Sequence, residues 1–153
     1  MPPARSSEKL YLEDLAVGQT FRSGEHALDA EQIIAFARQY DPQPFHLNAE
    51  AAKNTFFQGL AASGWHTMAI TMRLLVESLP FAHGIIGAGG EISWPRPTRP
   101  DHVLHVQSKL LEIKPSRSKP NRAIILVECL TFNQHEELLQ ELKTRLVAFR
   151  KAD

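Results

Sequence analysis

The chain has 153 residues, of which 43 % are apolar and 22 % charged, the proportions of an ordinary soluble globular domain with material for a real core. Lys plus Arg and Asp plus Glu number 17 each, so no net field recruits nucleic acid or an anionic membrane, and no apolar run approaches the roughly 20 residues that span a bilayer. Cys129 stands alone, which excludes an internal disulfide; with no signal-like apolar stretch in MPPARSSEKL, a reducing, cytoplasmic setting is the expectation.

Residues 1–10 are polar and Pro-containing and are expected as a loose arm before one domain over 11–153. YLEDLAVGQTF leads towards a strand from about Thr20 to Leu28. Asp29 is a good N-cap for AEQIIAFARQY, where Ile33, Ile34, Phe36 and Ala37 recur at helical spacing. Pro42 ends that helix, because a residue before proline is driven out of the helical basin. Asn48 can cap a second, short helix, AEAAKNTF. A longer helix is predicted from about Trp65 to Leu79. Its periodicity puts Trp65, Met68, Ala69, Met72, Leu75, Val76 and Leu79 on one broad buried arc. His66, Arg73 and Glu77 share the narrow wet edge, with Arg73 and Glu77 paired at i,i+4. Thr67, Thr71 and Ser78 form a third, small polar strip, and Pro80 closes the helix.

The pattern then changes to period two. GEISWP places Ile92 and Trp94 on one side; the glycines of GAGGEIS precede a strand rather than a helix, which argues against a dinucleotide loop. DHVLHVQSKLLEIK sets Leu104, Val106 and Leu110 against His105, Gln107 and Lys109, with a bulge indicated at Leu110-Leu111. RAIILVECLTF is apolar on both faces, the mark of a central strand, and buries Cys129 as an inert thiol. LQELKTRLVAF points Leu142, Leu146 and Ala148 one way and Glu141, Lys143 and Arg145 the other. KPSRSKPN and NQHEE supply turns, so the basic residues of EIKPSRSKPNR read as a solvated hairpin end. Helices followed by long antiparallel strands give an α+β layer fold, its sheet curled over the long apolar helix.

Two stretches carry candidate chemistry. In DPQPFH, Asp41 and His46 stand five apart on a segment that its prolines are expected to keep from helix. An imidazole can take a proton from water and a carboxylate can orient the ring, with Pro42 and Pro44 stiffening the backbone between them. The same residues also read as a turn acid and a core histidine. In GLAASGWHTM, Gly64 precedes the long helix, whose first N–H groups have no internal partner. A glycine there lets a thioester oxygen approach, as an oxyanion site requires; it also reads as a packing glycine beside a Ser63 cap. His102 and His105 are expected on opposite faces of a strand, and no two histidines lie four apart on a helix, so no metal site is expected. A G-x-S-x-G nucleophile elbow is absent.

Taken together, these stretches resemble the MaoC-like hydratases, the (R)-specific enoyl-CoA hydratase branch of the hot-dog fold. DPQPFH has the spacing of that family's D-x-N-P-x-H, Gly64 matches its glycine at the start of the central helix, and SWPRPTRPDHVLHV resembles its Pro-rich passage between strands. The likeness runs from about Tyr11 to Phe149. It implies reversible addition of water to an enoyl-CoA, with Asp41 and His46 catalytic and substrate contacts from Gln43, Ser63, Gly64 and Trp65. It implies an acyl-CoA thioester substrate as partner, no cofactor, and a homodimer or larger homo-oligomer. Gln43 stands where the family has asparagine, one methylene longer. A hot-dog thioesterase and a non-catalytic acyl-thioester-binding protein are the competing functions.

Overall fold

The computed structural model describes residues 8–152; most of the expected arm, residues 1–7, lies outside them. Leu10 does not trail free: it bridges Phe81, and its N–H donates to the Pro80 carbonyl at 2.7 Å. After a short turn of 3-10 helix at Leu12–Asp14 come β1 (Thr20–Arg22), β2 (His26–Ala27), α1 (Ala30–Tyr40), α2 (Pro44–Leu47), α3 (Ala49–Ala52) and α4 (Gly64–Ser78). Four longer strands follow: β3 (Gly87–Ser93), β4 (Val103–Pro115), β5 (Arg122–Phe132) and β6 (Leu138–Phe149).

The strands form one antiparallel sheet in the order β1-β4-β5-β6-β3, with β2 also on β4. β5 is central, as its two-sided apolar pattern requires. Its Ala123, Ile125, Val127 and Cys129 join Leu104, Val106 and Leu110 of β4 and Leu142 and Leu146 of β6 in the core. Against them α4 lays Ile70, Leu74 and Leu75. This sheet curled over a central helix is the hot-dog fold. The β4 bulge sits where the sequence indicated it, between Leu110 and Glu112.

Several elements differ from expectation. The first strand divides in two because Ser23 takes over the ladder: its N–H donates to the Val106 carbonyl (2.9 Å) and its hydroxyl accepts the Val106 N–H (2.8 Å). GAGGEIS is itself β3 rather than a prelude to a strand. The third helix stops at Ala52, four residues short of the predicted end, with Asn48 capping the Ala51 N–H as expected. His105 is buried and stacks on Phe132 (5.5 Å, 22°) instead of facing water.

The largest difference is the face that α4 buries. Thr67 and Thr71 point inward, and Trp65 (61 % exposed), Ala69 and Val76 (57 % exposed) point out. The inward hydroxyls are paired, Thr67 with Thr98 of the passage before β4 at 3.0 Å and Thr71 with Thr131 of β5 at 2.7 Å. A satisfied hydroxyl costs little to bury, and a small side chain lets the helix approach closely. His66 is buried rather than wet. It stacks on Phe36 (4.6 Å, 4°), and burial, with the charge of His26 adding to it, lowers its pKa to about 4.

Cys129 is fully buried, and that burial pushes its thiol up to about 11. Since the thiolate is the reactive form, a thiol reagent at neutral pH should label the native chain far more slowly than the urea-unfolded chain. Equal rates would contradict the burial.

Candidate active site

Two helices, α1 and the single turn α2, place the acid and the imidazole. Asp29 caps α1 by accepting the Gln32 N–H at 2.9 Å. The helix then ends at Asp41, whose own N–H still donates to the Ala37 carbonyl. Pro42 cannot continue the ladder. Pro44 does not exclude helix, as the sequence suggested; it opens a single turn, α2, from its first position, where the missing N–H has no function. That turn swings His46 back over Asp41.

His46 is only 4 % exposed. Its Nδ1 lies 2.6 Å from the Ala61 carbonyl oxygen. A carbonyl can only accept, so Nδ1 carries the proton and Nε2 is the free ring nitrogen. Nε2 lies 3.4 Å from Asp41 Oδ2. The other oxygen, Oδ1, accepts the Gln43 side-chain N–H at 2.5 Å. Burial raises the Asp41 pKa, but hydrogen bonds from Gln43 and Ser63 and the nearby His46 outweigh it, and the carboxyl lies below its ordinary value. The carboxylate is therefore ionised at neutral pH. In the neutral ring Nε2 accepts, and two acceptors side by side suit a water molecule, which brings two donors.

Both groups line a cavity of about 650 Å³, together with Gly64, Trp65, Phe57 and Trp94. Four expected site residues, Asp41, His46, Gly64 and Trp65, thus meet at one space. Gln43 and Ser63 do not line it. Gln43 is exposed and reaches Asp41 from behind. Ser63 is fully buried, accepts the Trp65 N–H at 3.2 Å as the α4 cap, and adds to the bonding of Asp41. Both act on the carboxylate rather than on the space in front of it. The Gly64 N–H, first of α4, finds no protein acceptor among the described residues. A Cβ at Gly64 would sit 2.7 Å from Trp94 Cε2, so the close approach that demands glycine here is that of the indole ring.

The family model of the MaoC-like domain matches residues 14–127. The chain belongs to the MaoC-like domain family. The MaoC-like dehydratase of Rhodospirillum rubrum is 56 % identical, covers 94 % of this chain and 99 % of its own, and superposes with a TM-score of 0.93. YdeM of Bacillus subtilis strain 168, an uncharacterized protein, is 32 % identical over 128 residues, 82 % of this chain and 89 % of its own. R-hydratase PhaJ1 of Pseudomonas aeruginosa shares the fold, with a TM-score of 0.75 at 24 % identity over 94 % of this chain and 88 % of its own. Among the described residues of this MaoC-like chain, no cluster of ligating side chains could hold a metal, and no helix is long and apolar enough to cross a membrane.

Sequence reasoning missed Thr98, Arg99 and the cavity-wall role of Trp94, all in the Pro-rich passage before β4. The Arg99 guanidinium reaches about forty residues back along the chain. It donates to the carbonyls of Phe57 (2.5 Å), Gly59 (2.9 Å) and Leu60 (3.3 Å), and so holds the segment that carries Phe57 into the cavity wall. Carbonyl acceptors leave no residue signature, so nothing in the sequence marks them.

Proposed function

We propose that this MaoC-like chain adds water reversibly to a 2-enoyl-CoA thioester, giving a 3-hydroxyacyl-CoA. The observation that carries the reading is the convergence of the Asp41 carboxylate, the free Nε2 of His46 and the unpartnered Gly64 N–H on one cavity. Membership of the family supports hydro-lyase chemistry, and the match to the Rhodospirillum rubrum dehydratase adds to that support.

In the proposed mechanism, water rests between Asp41 and His46. As its oxygen bonds to C3, a proton passes to the pair, and negative charge moves through C2 onto the thioester oxygen. The Gly64 N–H receives that charge at the positive end of α4. The pair then returns a proton to C2, so one water is consumed and no co-reactant is needed. Ser63 and Gln43 keep Asp41 ionised and aimed.

The test is loss of the conjugated-thioester absorbance when purified protein meets short straight-chain 2-enoyl-CoAs. Binding of these thioesters without turnover in either direction would replace the reading with a non-catalytic one. Thiol release from saturated acyl-CoA would replace it with a thioesterase. Against the latter stands the placement of Glu77, the one acid on α4: it pairs with Arg73 at 2.8 Å and lines a different cleft, beside His66.

The proposal extends to a homodimer. β3 is an edge strand exposed along most of its length, and Trp65 and Val76 of α4 face outward. An uncovered edge and outward apolar side chains are both features that a second copy would bury. Light scattering should give twice the 17.2 kDa chain mass; a monomer at micromolar concentration would refute this.

A further inference from the structure

Trp94 is held in place from behind. Its indole Nε1 donates to Gln140 Oε1 at 3.0 Å, and Gln140 Nε2 donates to Thr71 Oγ1 at 3.1 Å. Thr71 in turn pairs with Thr131 at 2.7 Å. Gln140 is fully buried, and the indole N–H can only donate, which fixes the amide with its oxygen towards Trp94. Burying an amide among apolar strands is costly unless both ends are bonded. Here both are, and the chain of bonds runs from the centre of the sheet to one ring at the cavity.

That ring lies flat on the start of α4. Three of its atoms come within 3.0 Å of where a Gly64 Cβ would be. Helical Cα–Cβ bonds tilt towards the N-terminus, the direction in which the free first-turn N–H groups also point. An oxygen bound at the Gly64 N–H therefore has the indole as its neighbour, and a thioester seated with C2 on that side would meet the ring. Trp65 meets the same ring edge-on at 5.8 Å.

We propose that Trp94 is the specificity-determining wall of the site and Gln140 its positioning residue, together admitting 2-enoyl thioesters with an unbranched C2 and rejecting those with a methyl there. This rests on the enoyl-thioester reading given above. A methyl on C2 would enter the space the indole occupies, and the ring cannot retreat without breaking its bond to Gln140. Trp94→Phe keeps an aromatic plane but loses the N–H that Gln140 holds, so it should relax the selectivity as Gln140→Leu does.

The test compares kcat/KM for a straight 2-enoyl-CoA and its 2-methyl homologue. Wild type should prefer the straight substrate. Trp94→Ala should raise the branched-to-straight ratio about tenfold or more, the discrimination one methyl in a pocket supplies. Gln140→Leu keeps the volume and leaves Thr71 and Thr131 paired, so it should fold; it should move the ratio in the same direction, mainly through KM of the branched substrate. An unchanged ratio in both Trp94→Ala and Gln140→Leu, with straight-chain turnover intact in wild type, overturns the inference and leaves the functional reading standing. A loss of stability in Gln140→Leu with no change of ratio marks the network as structural only and overturns it too. No turnover of any enoyl thioester by wild type overturns the functional reading and this inference with it.

Discussion

Asp41→Asn and His46→Ala should each lower kcat/KM for enoyl-thioester hydration by about two to four orders of magnitude, the range that positioned acid–base groups contribute. Asp41→Asn keeps an oxygen that can accept from Gln43 but removes the negative charge beside the imidazole. His46→Ala leaves the Ala61 carbonyl without its 2.6 Å partner and opens a gap beside Phe45 and Phe57. His46→Gln is the better folded control, since an amide can still donate to that carbonyl. Wild type and Asp41→Asn also differ in how stability depends on pH. A carboxyl whose folded pKa is lowered contributes stability that is fully present above its ordinary value of 3.8 and lost as pH falls through the folded value. The stability gap between wild type and Asp41→Asn should therefore be constant near neutrality and close in acid, as read by urea unfolding across that range. Near-normal hydration in both Asp41→Asn and His46→Ala would remove these residues from the mechanism.

Gly64→Ala should be costly although alanine is ordinarily the better helix residue. The added Cβ would meet Trp94 Cε2 at 2.7 Å and Cζ2 at 2.8 Å, well inside contact distance. The indole must swing off its bond to Gln140, or the start of α4 must shift. Overpacking of this kind costs about 1–3 kcal/mol. A shift of the first N–H by about an ångström should also lower kcat about a hundredfold. In a Trp94→Ala background the obstacle is gone, so Gly64→Ala should there be nearly neutral in urea unfolding. A cost that is equal in both backgrounds would show that the ring is not its origin.

Much of this was readable from residue order. The Asp29 cap, the stop at Pro42, the strand alternation and the bulge after Leu110 are local effects, and local rules found them. The spacing of Asp41 and His46 left an acid–base pair and a turn acid with a core histidine both open, and it was the resemblance of DPQPFH to the family pattern that singled the pair out. The buried face of α4 was misjudged for a physical reason. Hydropathy treats Thr67 and Thr71 as polar, whereas hydroxyls facing Thr98 and Thr131 are satisfied where they lie. Trp65 and Val76 were then assigned to a core that had no room left for them. Gly64 was read for its backbone, and the ring that presses on it, that of Trp94, arrives from far along the chain. Gln140 gave no signal, since its partners Trp94 and Thr71 are joined to it only by the closing of the sheet.

The clamp at Arg99 bears on how this cavity can change. Its acceptors are main-chain oxygens, which every amino acid supplies alike. The side chain at Phe57 can therefore be exchanged to reshape the cavity lining while the grip on that segment stays as it is. Gly59 is the exception, because a Cβ there would press on the guanidinium at 3.3 Å. A library built to retarget this protein would do well to vary position 57 freely and leave 59 and 99 untouched.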